Sequence, residues 1–443
     1  MTKSNTVAPC DTSTSYHYEP LLETESSLMF FLAEPAIATI SFFKNTDHAK
    51  SMEWMKRRIA LLCNANPWLL GRIVKDKAKH ENLLLATPQY IIDADIDAVI
   101  CSQDSSLSNI STQTPYAEMS ETVAKSNAIV KEGYKLVGKD SRISKFALVP
   151  VANGEIALIV SITHAVADGY TYYKIFSMLT EGADIESLSC VRKHNFIPKM
   201  KTAIGEEETK LLLSPALMLN FIPKMLCGPK AQFDARFVDE DKVQQAKQDS
   251  EKRCADKNIP EGGFACSTND ILTSTFSKAT KADLLLMAIN LRNRLEEAND
   301  KDAGNYESVV TYDSPSSAFP ELIRQSLRRG APFIRVGGSP LPGFFKMLRV
   351  KLALITNWAF PSFKADLKLF DSSTFELTSP IQIHLPIYDP SAVVCPLAVI
   401  FRPCFGKLAI LYAGSSQDIS HDRLVASGAP IGGSVNDTVF TSS

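Results

Sequence analysis

The sequence lacks the cysteine pattern of a disulfide-stapled or zinc-binding protein. Nine cysteines are scattered over 443 residues, an odd number with no C-x-x-C pair. Zinc sites and disulfide frameworks both need cysteines that are paired or regularly spaced. The pattern therefore predicts reduced thiols that pack against other side chains, as in a cytoplasmic protein.

A strong charge of either sign is also missing. Lys and Arg number 47 and Asp and Glu number 49, which gives a formal net charge of −2. A protein that binds nucleic acid is expected to carry a basic field. The charge balance therefore argues against a nucleic-acid partner.

No apolar run is long enough to span a bilayer. Residues 1–20 are polar and rich in Ser and Thr, without the apolar region of a secretory signal. The most apolar stretch, residues 211–227, is short and interrupted by Pro215, Pro223 and Lys224. We interpret it as a buried crossover helix, with contact to a membrane surface or a substrate entrance as alternatives. The sequence thus predicts a cytoplasmic protein without a transmembrane segment.

Apolar periodicity predicts several helices and strands. Residues 35–43 and 68–74 are expected to be extended, residues 122–137 to be helical, and Met52, Met55, Ile59 and Leu62 to share one helix face. Asn153-Gly154 lies between two apolar runs and predicts a hairpin. Ser267 followed by Asp270 predicts a capped helix start. Residues 428–443 are small and polar and are expected to be disordered.

The second strand of that hairpin, residues 156–162, ends at the sequence THAVADGY. This places His164 in a turn, followed by Asp168 and Gly169. Because imidazole titrates near neutral pH, a histidine held at a strand end is suited to take a proton from a substrate and return it. The alternative is a structural turn with a satisfied side chain.

These residues resemble the HxxxDG signature of the CoA-dependent acyltransferase superfamily, which includes chloramphenicol acetyltransferase, the BAHD acyltransferases and the condensation domains of peptide synthetases. Further segments resemble that family in the same order: NPWLLGR at 66–72, STNDILT at 267–273, NLRNRL at 290–295 with GNY at 304–306, and TNW at 356–358. The chain departs from the family in two places. Thr163 precedes the histidine where some members have a second histidine, and the D-F-G-W-G block is absent after Asp366.

The resemblance implies two α/β lobes, each a mixed sheet covered by helices, with the active site in a tunnel between them. It divides the chain into a polar segment (1–20), an N-terminal lobe (21–190), a crossover (191–235), a C-terminal lobe (236–425) and a tail (426–443). It implies an acyltransferase acting as a monomer, with acyl-CoA as co-substrate, a small-molecule alcohol or amine as acceptor, and no metal.

The resemblance also implies roles for single residues. His164 is expected to be the general base, while Asp168 points away and pairs with Arg292. Gly169 is expected to permit a backbone conformation that a side chain would hinder. Thr356 or the indole N–H of Trp358 is expected to stabilise the tetrahedral oxyanion. Ser267 and Thr268 are expected to face the pantetheine arm, with helix capping as an equally good explanation.

Three other functions remain open. A metal site at His164 and Asp168 lacks further ligands at suitable spacing. A binding protein that kept the fold and lost turnover is a second alternative, although such a protein has no need to keep His164, Asp168 and Gly169 together. A condensation-type enzyme that takes its acyl group from a carrier protein is the third, and the chain carries no carrier or adenylation domain.

Overall fold

The structure is a computed structural model that describes residues 15–78, 83–256, 265–327 and 332–435. Its helices are α1 His48–Ala65, α2 Asp93–Asp97, α3 Tyr116–Lys125, α4 Gly133–Leu136, α5 Gly169–Ser177, α6 Phe196–Ile204, α7 Glu206–Leu212, α8 Pro215–Cys227, α9 Glu240–Asp256, α10 Thr268–Thr280, α11 Pro320–Ser326, α12 Phe344–Met347 and α13 His421–Ala426. Short 3-10 helices occupy Pro67–Leu70, Ser105–Leu107 and Ala152–Gly154.

The strands are β1 Tyr16–Pro20, β2 Ile37–Phe43, β3 Arg72–Lys75, β4 Leu83–Pro88, β5 Ile100–Cys101, β6 Ser144–Pro150, β7 Ile156–Ile162, β8 Gln232–Val238, β9 Leu284–Asn290, β10 Glu307–Tyr312, β11 Leu352–Asn357, β12 Lys368–Leu369, β13 Ser379–Pro380, β14 Ile383–Pro386, β15 Leu397–Phe401, β16 Ala409–Gly414 and β17 Ile431–Ser434. Two of the sheets these strands form are large. One apolar core joins the first large sheet to one face of the second, which contributes Val399, Phe401 and Leu411, and another apolar core lies on the opposite face of the second sheet.

The first large sheet has the order β14-β2-β7-β6-β5. Its strands are antiparallel except for the β5–β6 pair, so the sheet is mixed. Strand β7 lies at its centre, and all seven of its residues are buried. The predicted hairpin is present between β6 and β7, and Asn153 and Gly154 take left-handed φ values of 59° and 67° in the connection.

The second large sheet has the order β10-β9-β11-β15-β16-β8-β17. Strand β11 runs parallel to both β9 and β15, and the remaining pairs are antiparallel. Helix α10 begins where the capping box predicted, with the Ser267 hydroxyl and the Asp270 carboxylate satisfying each other's backbone N–H groups. The expected mixed sheets covered by helices are therefore present.

Several predicted boundaries were wrong. Residues 67–70 form a 3-10 turn before β3 instead of one continuous strand from residue 68. The helix expected over 122–137 begins earlier, at Tyr116, and ends at Lys125, because Ser126 is extended. A separate short helix, α4, follows at residues 133–136.

The apolar stretch 211–227 is not one buried helix. It is divided at Ser214, which caps α8, and Pro215 takes the first position of that helix. Leu219, Ile222 and Met225 of α8 are exposed, so one face of the helix is not covered by the rest of the described chain. Within the described ranges, no helix is both long and apolar enough to cross a membrane.

The chain ends and the lobe boundary also differ from expectation. Part of the tail expected to be disordered, residues 431–434, forms strand β17 on β8, and part of the polar N-terminal segment forms strand β1 on β4. Residues 436–443 of that tail lie outside the described residues. Strand β14 belongs by position to the C-terminal lobe, yet it pairs with β2 in the first sheet. The two lobes are therefore not separate stretches of sequence.

Candidate active site

His164 lies just beyond the end of β7, two residues after the buried strand. Its ring stacks on Phe31, with ring centroids 5.0 Å apart and an interplanar angle of 14°. The side chain is 14% exposed. The strand therefore delivers an imidazole that is mostly enclosed but still reachable.

Asn305 fixes the tautomer of His164. The amide nitrogen of Asn305 donates to the backbone carbonyl of His164 at 2.7 Å and to Oε1 of Glu25 at 3.2 Å. Its Oδ1 therefore faces Nδ1 of His164, at 3.1 Å. Since an amide oxygen only accepts, Nδ1 carries the proton of the neutral ring. The lone pair that can act as a base is then on Nε2.

A buried ion pair, Arg192–Glu25, stabilises the position of the Asn305 amide. Arg192 donates from Nε to Oε2 of Glu25 at 2.8 Å, and both side chains are at most 1% exposed. Arg192 also donates to the carbonyl oxygen of Val166, inside the turn that follows the histidine, at 3.0 Å. The position of the Asn305 amide is thus tied to the same network that holds the turn.

Two carboxylates face the other side of the ring. Oε2 of Glu34 is 3.3 Å and Oε1 of Glu307 is 3.5 Å from Nε2 of His164. Burial alone would lower the pKa of His164, but Glu34 and Glu307 outweigh it, and the pKa is raised. Burial raises the pKa of Glu307, and the neighbouring carboxylates Asp168 and Glu34 add to the rise, against the opposing effect of His164.

Asp168 makes its contacts away from the imidazole. Its Oδ2 accepts from Arg292 at 2.6 Å and from the backbone N–H of Tyr306 at 3.0 Å. Its Oδ1 accepts from the backbone N–H of Thr171 at 2.9 Å and so caps α5. Arg292, the expected partner, is 0% exposed and Asp168 is 1% exposed. The pair therefore joins the start of α5 to the chain segment that leads into β10.

The remaining donors of Arg292 are also occupied. Its guanidinium donates to the carbonyl oxygens of Asp302 and Gly304 and to the hydroxyl of Thr171. It lies between the rings of Tyr170 and Tyr306, 4.6 Å and 5.1 Å from their centroids. A guanidinium with these contacts is a fixed structural cation and is not available to a ligand.

The expectation for Gly169 was wrong in its physical reason. Gly169 has no left-handed φ, so its backbone does not require glycine. An added Cβ would lie 3.5 Å from Nε1 of Trp358 and 3.6 Å from the ring of Phe360, which is ordinary contact. The missing side chain instead leaves space in a cavity of about 200 Å³, whose wall includes Glu307, the carboxylate 3.5 Å from Nε2 of His164.

That cavity contains both residues expected to stabilise the oxyanion. Thr356 and Trp358 line it together with Gly169, Tyr170, Glu307 and Phe360. Trp358 is 8% exposed and stacks on Tyr388. The cavity therefore combines the carboxylates of Asp168 and Glu307 with a hydroxyl and several aromatic rings, and Glu307 connects it to His164.

Ser267 is occupied by helix capping. Its hydroxyl donates to Oδ2 of Asp270 at 2.9 Å and accepts from Arg324 at 2.7 Å. Thr268 is the first residue of α10, and neither residue lines the cavity that contains Thr356 and Trp358. The capping explanation accounts for Ser267, which leaves its expected contact with a pantetheine arm without support.

Sequence reasoning missed Glu25, Glu34, Asn305 and Glu307. Asn305 and Glu307 follow Gly304 in a segment that already resembled the family, so their position was a usable signal. Glu25 and Glu34 lie in a stretch with no periodic pattern and could not have been singled out. Across the described ranges, no group of three His, Cys, Asp or Glu side chains is arranged to hold a metal ion.

No protein-family model and no curated protein sequence matches the chain. Solved structures do resemble it over nearly its whole length. The structure of F. graminearum TRI101 in complex with coenzyme A and deoxynivalenol is similar with a TM-score of 0.59 and 12% identity, covering 93% of this chain and 97% of that one.

Two further structures resemble the chain. Vinorine synthase is similar with a TM-score of 0.51 and 11% identity, over 94% of this chain and 93% of its own. The epimerization domain from the third module of tyrocidine synthetase B is similar with a TM-score of 0.51 and 13% identity, over 94% and 96%. The chain therefore has the two-lobed, chloramphenicol-acetyltransferase-like fold that its sequence predicted.

Proposed function

We propose that this protein transfers an acyl group from acyl-CoA to a hydroxyl or amine of a small-molecule acceptor, with His164 as the general base. One observation carries the proposal: Asn305 holds the proton on Nδ1, which leaves the lone pair of the ring on Nε2, the nitrogen next to the half-exposed Glu34. The similar TRI101 structure contains coenzyme A and deoxynivalenol, which supports a thioester donor and a small-molecule acceptor for this fold.

The reaction needs little from the protein beyond positioning and proton transfer. A thioester is already activated, so the difficult step is removal of a proton from the acceptor as it attacks the carbonyl carbon. Nε2 of His164 takes that proton. The tetrahedral intermediate then collapses, the C–S bond breaks, and the imidazolium returns the proton to the departing thiolate. No nucleophilic Ser or Cys is required.

Negative charge develops on the thioester oxygen in the intermediate and calls for a hydrogen-bond donor. We assign this role to the hydroxyl of Thr356 or the indole N–H of Trp358, since both line the same cavity as Glu307. Asp168 and Arg292 position the turn that carries His164, and neither has a role in proton transfer. This assignment follows from the contacts of Asp168, which are all on the side away from the ring.

The test follows thiol release from purified protein supplied with acetyl-, malonyl-, aromatic and long-chain acyl-CoAs and pooled alcohols and amines. His164→Ala should abolish acceptor-dependent release. His194→Ala, which changes an exposed histidine, is the matched control and should behave like wild type. Acceptor-dependent release that persists in His164→Ala would overturn the mechanism.

The same preparation separates the alternatives. Binding of coenzyme A without turnover on any acceptor would indicate a binding protein that lost catalysis. Turnover only with a carrier-protein-bound donor would indicate a condensation-type enzyme. We propose a cytoplasmic monomer as the active form, and size-exclusion chromatography of the active fraction tests the monomer.

A further inference from the structure

Three hydrogen-bond acceptors converge where the acceptor substrate must present its nucleophilic atom. They are Nε2 of His164, Oε2 of Glu34 at 3.3 Å from it, and Oε1 of Glu307 at 3.5 Å from it. Glu34 is 49% exposed and Glu307 is 24% exposed, so the group is open on one side and enclosed on the other. A base that served only a neutral alcohol would need just one of these three acceptors.

The two carboxylates have unused capacity. Among the described residues, the imidazole of His164 is the one basic group within ion-pair distance of either carboxylate, and with its proton on Nδ1 it donates to neither. The guanidinium of Arg292, which acts on the pKa of Glu307, is itself engaged by Asp168 and backbone carbonyls. Glu307 is the more enclosed of the two, and a mostly buried carboxylate without a donor is costly, because it loses hydration without a replacement. A cationic ligand that donates hydrogen bonds would supply what is missing.

The cavity next to Glu307 suits a cation as well. Its wall includes the rings of Tyr170, Trp358 and Phe360. The faces of aromatic rings attract an ammonium group, especially where water is excluded. Glu307, which is 3.5 Å from Nε2 of His164, therefore shares a cavity wall with three aromatic rings.

We propose that the acyl acceptor is a primary alkylammonium compound, so that the enzyme forms an amide. An ammonium group has three N–H donors, which matches the three acceptors at this point, whereas a hydroxyl group has one. The positive charge also compensates the two carboxylates. This inference rests on the proposed acyl transfer and names its acceptor class.

An alkylammonium acceptor must lose two protons during amide formation, which explains why the site holds more than one base. An alkylammonium ion, with a pKa of about 10.4 in the lysine side chain, must first lose a proton to become a nucleophile. Glu307, whose pKa burial raises, takes this first proton and passes it to solvent. The neutral amine attacks the thioester carbonyl and forms the C–N bond. His164 takes the second proton from nitrogen and delivers it to the thiolate as the C–S bond breaks, leaving amide, free thiol and one proton in solvent.

The experiment compares amines with alcohols of the same carbon skeleton, such as 2-phenylethylamine with 2-phenylethanol and butylamine with butanol. Thiol release and mass spectrometry of the product are measured for wild type, Glu34→Gln and Glu307→Gln. Glu53→Gln is the control, because Glu53 is an exposed glutamate on α1 paired with Arg57.

We expect wild type to prefer the amine of each pair and to form an amide. At a pH above the acid limb of both wild type and variant, each carboxylate variant should lower kcat/KM for the amine by about tenfold or more while changing the rate with the alcohol much less, since truncating one partner of a close charge pair costs affinity on that scale. Glu53→Gln should match wild type. Preference for the alcohols, or equal losses on amine and alcohol, would overturn the proposal.

A binding measurement keeps the proposal testable without turnover. Calorimetry with butylammonium should show binding to wild type that weakens in Glu34→Gln, a variant whose half-exposed position makes misfolding a small concern. Equal binding to both proteins would overturn the proposal. So would a loss of amine turnover on treatment with EDTA, which would point to a metal ion between the carboxylates. Absence of thiol release with every acceptor, while butylammonium still binds, would instead reject the acyl transfer itself.

Discussion

Replacing Asp168 by alanine tests whether this carboxylate braces the site or takes part in the chemistry. The change leaves Arg292 without its counter-charge in a place where both side chains are essentially unexposed. It also removes the acceptor for the backbone N–H of Thr171 at the start of α5 and for that of Tyr306. Each of these losses acts on stability, and none of them is a hydrogen bond to the ring of His164.

The expected magnitude follows from the burial of the pair. Removing one partner of a buried ion pair costs about 3–5 kcal/mol, because the remaining charge has neither water nor a partner. Loss of the helix cap adds about 1 kcal/mol. For a chain of 443 residues unfolding in one step, this corresponds to a drop in Tm of roughly 4–6 °C. Activity should fall in parallel, because the turn that carries His164 loses its support.

The assay is thermal unfolding measured beside thiol release. Asp168→Asn keeps an acceptor for the Thr171 N–H and should lose less stability than Asp168→Ala. Asp97→Ala is the control, since Asp97 pairs with Lys56 at 2.7 Å on the exposed surface and should cost less than about 1 kcal/mol. If Asp168→Ala melts like wild type but has lost turnover, the structural role of Asp168 is refuted and its carboxylate acts in the chemistry.

Three further outcomes are expected. Because His164 works only as a neutral base and its pKa is raised, kcat/KM should fall as the pH falls through a value above 6.5. Glu307→Gln removes a negative neighbour of His164 and should move this limb of the pH–rate profile to lower pH. An unmoved limb would contradict the assignment of His164 as the general base. Gly169→Ala places a methyl group 3.5 Å from Nε1 of Trp358, so Tm should stay within a few degrees of wild type while KM for the acceptor rises, and an unchanged KM would place the acceptor elsewhere. Burial lowers the pKa of His384 to about 3, so the folded protein keeps this imidazole neutral while the unfolded chain binds a proton below about pH 6.5. The free energy of unfolding should therefore fall towards low pH by at most ~1.4 kcal/mol per pH unit. Denaturant unfolding of His384→Gln should lack this pH-dependent component.

Local signals predicted the elements that carry the site. The apolar run of β7, the Asn153-Gly154 turn and the Ser267–Asp270 capping box each specify their structure within a few residues of sequence. Such signals work because the backbone preference and the hydrogen bond lie in the same short segment. The pairing of Asp168 with Arg292 came instead from resemblance, since nothing local links residues so far apart.

Other parts of the structure depend on distant contacts and could not be predicted in this way. Helix α3 begins at Tyr116, whose hydroxyl donates to the backbone carbonyl oxygen of Pro386. In the same helix, the hydroxyl of Ser120 donates to the backbone carbonyl oxygen of Tyr388. The residues beside Nε2 of His164 show the same dependence. Glu34 precedes β2 and Glu307 opens β10, and only the folded chain brings their carboxylates to one atom.

Strand β14 lies late in the sequence but belongs to the first sheet, and this has a consequence for how the protein folds during synthesis. Residues 37–162 supply most of the first sheet, yet β2 remains an open edge until residues 383–386 pair with it. During translation, this edge therefore stays uncovered while more than half of the chain is still being made. An uncovered strand edge is a template for pairing with other chains, so the nascent protein is expected to need chaperone protection until near the end of synthesis. Expression of the first lobe alone should give an aggregating fragment, whereas supplying residues 363–401 in trans should improve its solubility.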